Sequence, residues 1–240
     1  MDNRTLILTD LSEVLISGIY GIGDRIAERY LPRYIEQYGE AEGKKRTKEI
    51  AQWVWDQVQS AEDEFNELMR GKITEDEFWD YAFEENDDVI KEVKAAFADN
   101  LKRTIPGTLK LYQRIVRFPV SLRPGCTEFI DGMPEIVLLS DHISERIPEL
   151  KANHPDVFKV IKRELWSCSL GEIKRDRGCF GKALHILNHD PSAILFIDDN
   201  RRNVLAAESR GLHGIVFKNA TQLESVMRDA YHFEFAPETP

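Results

Sequence analysis

The chain has 240 residues, more than one average domain and fewer than two large ones, which points to a core carrying a sizeable insertion. With 42% hydrophobic and 31% charged residues it reads as a globular protein, neither disordered nor membrane-embedded. Forty-two acidic against 32 basic residues leave a formal charge of -10, which disfavours nucleic acid and anionic lipid as partners and requires any anionic ligand to find positive potential made locally.

The first apolar run, residues 5–8, is broken at once by Asp10, so it reads as a short buried strand and not as the apolar region of a signal peptide. A stretch with few strand signals follows. Residues 24–38, 44–70, 75–84 and 86–103 carry apolar side chains at helical spacing, with Trp55, Val58, Phe65, Leu68 and Met69 as one example. Thr74-Glu75-Asp76-Glu77 has the form of a capping box that opens the third of these helices. Trp53, Trp55 and Trp79 are expected in the core of this helical segment. Residues 117–134 carry the weakest pattern; a strand over 117–122, flanked by Pro and Gly turn signals, is the reading they allow.

Two further buried strands are expected at residues 135–139 and 193–197, and a fourth at 214–217 after a helix-like run that stops at Gly211. Helix and strand alternate here as in repeated βα units, which predicts a parallel sheet. No run approaches the ~20 apolar residues that span a bilayer, so a cytoplasmic protein without a membrane partner is expected. Cys126, Cys168 and Cys179 are widely spaced and show no metal-ligand pattern, so they read as free thiols.

The chemistry gathers at the strand ends. Thr9-Asp10, Ser140-Asp141 and Asp198-Asp199-Asn200 each follow an apolar run, and ligands of open parallel sheets bind just beyond the carboxyl ends of the strands. Taken singly, Asp10 and Ser140 could equally cap a turn or a helix, and Lys174, ahead of a helix-like run over 178–187, could face solvent. The adjacent carboxylates Asp198 and Asp199 carry more information, because neighbouring like charges after a buried strand need a cation or hydrogen bonds to offset them. Hard oxygen donors of this kind suit magnesium.

The ordered set Asp10, Ser140, Lys174 and Asp198-Asp199 resembles the haloacid dehalogenase-like superfamily from residue 5 to about residue 218. More narrowly, Arg70-Gly71-Lys72-Ile73-Thr74, the run Phe196-Ile197-Asp198-Asp199-Asn200 and the later Asn203 look like the branch with glucose-1-phosphatase-type enzymes and epoxide hydrolase N-terminal domains. The resemblance implies a Rossmann-like α/β core over residues 1–16 and 117–240 with a helical cap over 17–116. It implies Asp10 as nucleophile, Ser140 and Lys174 on the phosphoryl oxygens, and Mg2+ held by Asp10, Asp198, Asp199 and the backbone carbonyl of Ser12. A small phosphorylated metabolite would be the substrate.

Three positions depart from that pattern. Ser12 stands where most phosphatases of the family carry a second aspartate as general acid and base, Glu13 replaces a glycine, and Arg175 replaces a proline. A serine hydroxyl cannot stand in for a carboxylic acid, so a contribution of roughly 10²–10⁴-fold in rate is missing at that position. Either the leaving group needs little protonation, or Glu13 or a cap residue supplies the proton, or the domain is a silent binding or regulatory module. Dehalogenation conflicts with the acidic pair, and a Schiff-base mechanism would need one of Lys44, Lys45 and Lys48.

Overall fold

The computed structural model describes residues 4–84 and 86–238; residues 1–3, 85 and 239–240, which fall within the expected core and cap, lie outside the described residues. Strand β1 (Leu6–Thr9) is buried along its whole length. Five helices follow it: α1 (Ile22–Tyr38), α2 (Glu40–Ser60), α3 (Glu62–Met69), α4 (Glu75–Ala82) and α5 (Asp87–Leu101). Then come α6 (Thr108–Gln113), β2 (Ile115–Pro119), β3 (Phe129–Asp131), β4 (Glu135–Ser140), α7 (Ile147–Asn153), α8 (Pro155–Val160), β5 (Arg163–Trp166) and α9 (Ser167–Leu170). The chain finishes with α10 (Cys179–Leu187), β6 (Ile194–Asp198), α11 (Arg201–Glu208), β7 (His213–Val216), α12 (Ala220–Tyr231) and β8 (Glu234–Phe235).

Five strands form one parallel sheet in the order β5-β4-β1-β6-β7, with Leu6 opposite Glu135 on one side and Ile194 on the other. This is the doubly wound arrangement, and β1 lies where the winding reverses, so its carboxyl end is the natural place for a ligand. Alternate residues of the strands serve opposite faces. Leu6, Leu8, Val137, Leu139 and Phe196 pack with Phe180 and Ala207 from α10 and α11. Ile7, Leu138, Leu195 and Ile197 belong to a second cluster that runs on through Leu223 and Met227 of α12 into Ile26, Val54, Trp79 and Phe97 of the helical insertion.

The five-helix insertion departs from expectation at Ala61, where φ -95° and ψ 33° break the 44–70 run into α2 and α3. The bend turns both Val58 and Leu68 inward. Thr74 opens α4 with a complete capping box, its hydroxyl taking the Glu77 N–H while Glu77 takes the Thr74 N–H. Trp79 is fully buried, whereas Trp53, expected in the core, is exposed and meets Phe83 edge-on. Residues 117–134 contribute to a separate antiparallel sheet, β3-β2-β8, whose third strand comes from the far end of the chain. The three cysteines are free. Among the described residues no helix is long and apolar enough to cross a membrane.

Two bidentate ion pairs and one close backbone approach seat the insertion on the core. Arg70, after α3, donates to both oxygens of Asp176 at 2.7 and 2.6 Å. Arg146, beside α7, donates to both oxygens of Glu75 on α4 at 2.7 Å each, and Glu75 also accepts from Trp79 Nε1. Gly71 has φ +70°, and a Cβ there would lie 2.9 Å from the Cys168 carbonyl oxygen, so the two backbones meet at a point that excludes a side chain.

Candidate active site

Asp10 leaves the sheet directly after β1, tied to β6 by its N–H donating to the Ile197 carbonyl at 2.9 Å. Its Oδ1 accepts from Leu11 N at 2.7 Å, and its Oδ2 lies 2.6 Å from Lys174 Nζ. The same ammonium donates to Asp198 Oδ2 at 2.6 Å, so one buried lysine joins the ends of β1 and β6. Asp198 is fully buried and well supplied with donors: Asn200 N reaches Oδ1 at 2.8 Å and Asn203 Nδ2 reaches both oxygens at 3.1 and 3.2 Å. Asp199, half-buried, completes a group of three carboxylates whose nearest oxygens lie within 4.8 Å of one another.

Burial and charge act against each other here. Burial pushes the Asp10 carboxyl well above its ordinary value, Lys174 opposes that push, and Asp198 reinforces it. Asp199 is pushed up to about 6 by burial and then by the charge of Asp198. Burial pulls Lys174 down, but the carboxylates of Asp10, Asp198 and Asp141 outweigh it and hold the ammonium above its usual value. Three close carboxylates facing one ammonium therefore make a site still short of positive charge.

A cavity of about 120 Å³ is lined by Asp10, Ser12, Lys174 and Asp199, and also by Glu13, Asp141 and Arg175. Asp198 sits behind this wall, in contact with Lys174. Ser140 is at the expected strand end and fully buried, yet it is not part of the lining; its hydroxyl has no hydrogen-bond partner among the described residues. Ser12 begins a tight turn in which it bridges to Ile16. Glu13, next along, has φ +60°, the left-handed backbone that glycine adopts most easily. Its Oε1 accepts from Gly18 N at 2.7 Å, a local bond that offsets part of the backbone strain.

Some members of the site carried little sequence signal. Asp141 accepts from Lys174 N at 3.0 and 3.2 Å and is pushed up to about 6 by burial against the pull of Lys174. Its only mark in the sequence is its place after Ser140. Tyr112 meets Thr9 Oγ1 at 2.9 Å behind Asp10 and comes from α6, which no strand-end pattern identifies. Asp176 accepts from Ile173 N at 2.9 Å as well as from Arg70, and so fixes the loop that carries Lys174. His142 also lines the cavity, with its Nδ1 accepting from Ile143 N at 2.9 Å.

The doubly wound sheet, the helical insertion after β1 and the acidic cluster at the strand ends together define a protein of the haloacid dehalogenase-like superfamily. The family model described as NLI interacting factor-like phosphatase matches residues 93–229, more than half of the chain, and the chain belongs to that family. The matched segment contains Ser140, Lys174, Asp198 and Asp199, while Asp10 and Ser12 precede it. No curated protein matches the sequence.

Solved structures agree on the fold. The haloacid dehalogenase family enzyme BT-2542 from Bacteroides thetaiotaomicron superposes with a TM-score of 0.61 at 18% identity, covering 95% of this chain and 100% of its own. A complex of the same Bacteroides protein with magnesium and inorganic phosphate gives 0.55 at 16% identity, covering 90% and 96%. The haloacid dehalogenase hydrolase YfnB from Bacillus subtilis, bound to magnesium, gives 0.60 at 13% identity, covering 94% and 99%.

Proposed function

We propose that the protein hydrolyses a small phosphomonoester with the help of a divalent cation, magnesium, through a transient aspartyl-phosphate on Asp10. The observation that carries this reading is the buried Lys174 ammonium, 2.6 Å from both Asp10 and Asp198 at the point where the sheet reverses its winding. A silent module is not favoured, because it has no need of a nucleophile and an acidic cluster brought together around one lysine.

The donor set fits the cation. Asp10, Asp198 and Asp199 offer hard oxygen ligands within 4.8 Å of one another, and the burial that raises Asp10 and Asp199 leaves the cluster in need of positive charge. In this reading those three carboxylates and the Ser12 backbone carbonyl hold the ion. When bound, magnesium would supply charge that offsets repulsion between the anionic nucleophile and an anionic phosphoryl group. The crystallised Bacteroides relative with magnesium and inorganic phosphate supports the pairing of these two ligands on this fold.

The chain's own residues divide the remaining work. An Asp10 oxygen attacks phosphorus and the leaving oxygen departs with its electron pair; water then attacks the same phosphorus and frees the carboxylate and inorganic phosphate. Lys174 follows the transferring charge; Ser140, unpartnered but behind the cavity wall, would reach a phosphoryl oxygen only after a rearrangement of that wall. The insertion, residues 17–116 against a core of 1–16 and 117–240, acts as a cap that excludes water.

The test is phosphate release from acetyl phosphate and 4-nitrophenyl phosphate by the purified chain. Activity should need magnesium, vanish with EDTA, and fall to background in Asp10→Asn. Activity that survives Asp10→Asn would overturn the nucleophile assignment.

A further inference from the structure

We infer that the leaving group is a phenol: the site takes aryl monophosphates in preference to sugar phosphates, alkyl phosphates and multiply charged metabolites, an inference that rests on the hydrolytic reading above. Four observations converge on it.

The first is the cavity wall. Besides its carboxylates and Lys174, the cavity is lined by Phe65 and Met69 of α3, Phe97 and Leu101 of α5, and Ile19 and Tyr20 between β1 and α1. These six supply apolar and aromatic surface that suits a ring, alongside polar lining from Ser12, Asn66, Asn200 and Asn203. The second is size. At about 120 Å³ the cavity is of the same order as the ~150 Å³ apolar cavities that accept benzene.

The third is charge. Asp10, Glu13, Asp141 and Asp199 line the cavity against two cations, and both cations are engaged, Lys174 by Asp10 and Asp198, Arg175 by Glu62. A second anionic group on the substrate would meet Glu13 and Asp141 and find no open side-chain counter-charge, the magnesium of the hydrolytic reading being committed to the phosphoryl group.

The fourth is the residue at the acid position. Ser12 stands there, and the neighbouring Glu13 turns its Oε1 to Gly18 N. Without a carboxylic acid two residues after Asp10, a leaving oxygen that can depart as an anion is favoured. A phenol, with a pKa of about 10, does so far more readily than an alcohol, which lies near the ~15.7 of water. In the balanced step the Asp10–phosphorus bond forms as the aryl oxygen–phosphorus bond breaks, the pair stays on the phenolate, and the phenolate takes its proton from solvent.

The experiment compares kcat/KM of the full chain with magnesium on acetyl phosphate, a series of substituted phenyl phosphates, benzyl phosphate and glucose 6-phosphate. Phenyl phosphate should exceed benzyl phosphate and glucose 6-phosphate by about 10²-fold or more, with log kcat/KM falling steeply as the phenol pKa rises. Ser12→Asp should flatten that slope and raise benzyl phosphate hydrolysis most. Phenylphosphonate should inhibit at least tenfold more tightly than inorganic phosphate, and Phe65→Ser should shrink that ratio. Glucose 6-phosphate matching phenyl phosphate, or phenylphosphonate binding no better than phosphate, would overturn the aryl assignment while acetyl phosphate turnover kept the hydrolytic reading intact. Absence of turnover on every ester and on acetyl phosphate would overturn both.

Discussion

His142 shows how far burial at this site moves a single group. Its imidazole is pushed down to about 4 by burial, from an ordinary value of 6.5. Below pH 6.5 the unfolded chain takes up a proton that the native ring refuses, so stability falls between pH 6.5 and 4 and the loss is complete below that. The difference amounts to about 2 kcal/mol at pH 5. Asp141, raised to about 6, works in the opposite sense over the same range, gaining stability as pH falls. It is common to wild type and variant, so urea denaturation at pH 7 and pH 5 should give His142→Asn a loss on acidification smaller by that amount. Equal losses would refute it. At this scale the sequence was a good guide wherever chemistry forces a residue type. Asp10, Asp198 and Asp199 converge as their strand-end positions require, Lys174 reaches them from the loop before α10, and Ser12 joins their cavity. Ser140 reaches the right strand end but lies outside the lining, because side-chain orientation at a strand end is not encoded in apolar periodicity. Glu13 looked like a simple departure from glycine; the backbone keeps the left-handed turn and the carboxylate secures it through Gly18.

Among the elements, the attachment of α4 to α7 rests on Glu75, only 6% exposed, and Arg146. Removing the charge of Glu75 leaves Arg146 with only the more exposed Glu149 as counter-charge, so Glu75→Gln should cost about 2 kcal/mol in urea denaturation. Lys44→Ala, which removes an exposed pair with Glu40 on α2, should leave the urea midpoint close to that of wild type. Similar losses for the two variants would show that burial does not set the strength of the α4 contact. The capping box at Thr74 was legible because it is local, with both of its bonds made within four residues. β5 was not, because it is an edge strand paired only with β4, and Arg163 and Glu164 interrupt the apolar run that marks a central strand. Of the β3-β2-β8 sheet only β2 was legible, overlapping the strand expected over 117–122; its pairing was hidden, since it joins Ile115 to Phe235 and no local pattern signals such a distant partner.

For the molecule as a whole, the continuous apolar cluster from the sheet into the insertion decides cooperativity. Ile7 and Leu195 of the sheet share that cluster with Ile26, Val54, Trp79 and Phe97 of the insertion. Unfolding followed by far-ultraviolet circular dichroism and by tryptophan fluorescence should therefore give one coincident transition. Two separated transitions would show that insertion and core are independent units. The order of core and insertion was legible because the break in periodicity after β1 is long; their fusion into one cluster was not, since it depends on which helix faces meet. The joint at Arg70 and Asp176 adds something of a different kind. Asp176 accepts from Arg70 and from the Ile173 N–H, so the contact that seats α3 and the loop that brings Lys174 to Asp10 share one carboxylate. One carboxylate thus serves two tasks, seating a helix of the insertion and shaping the loop that presents the lysine, so Asp176→Asn should weaken both together.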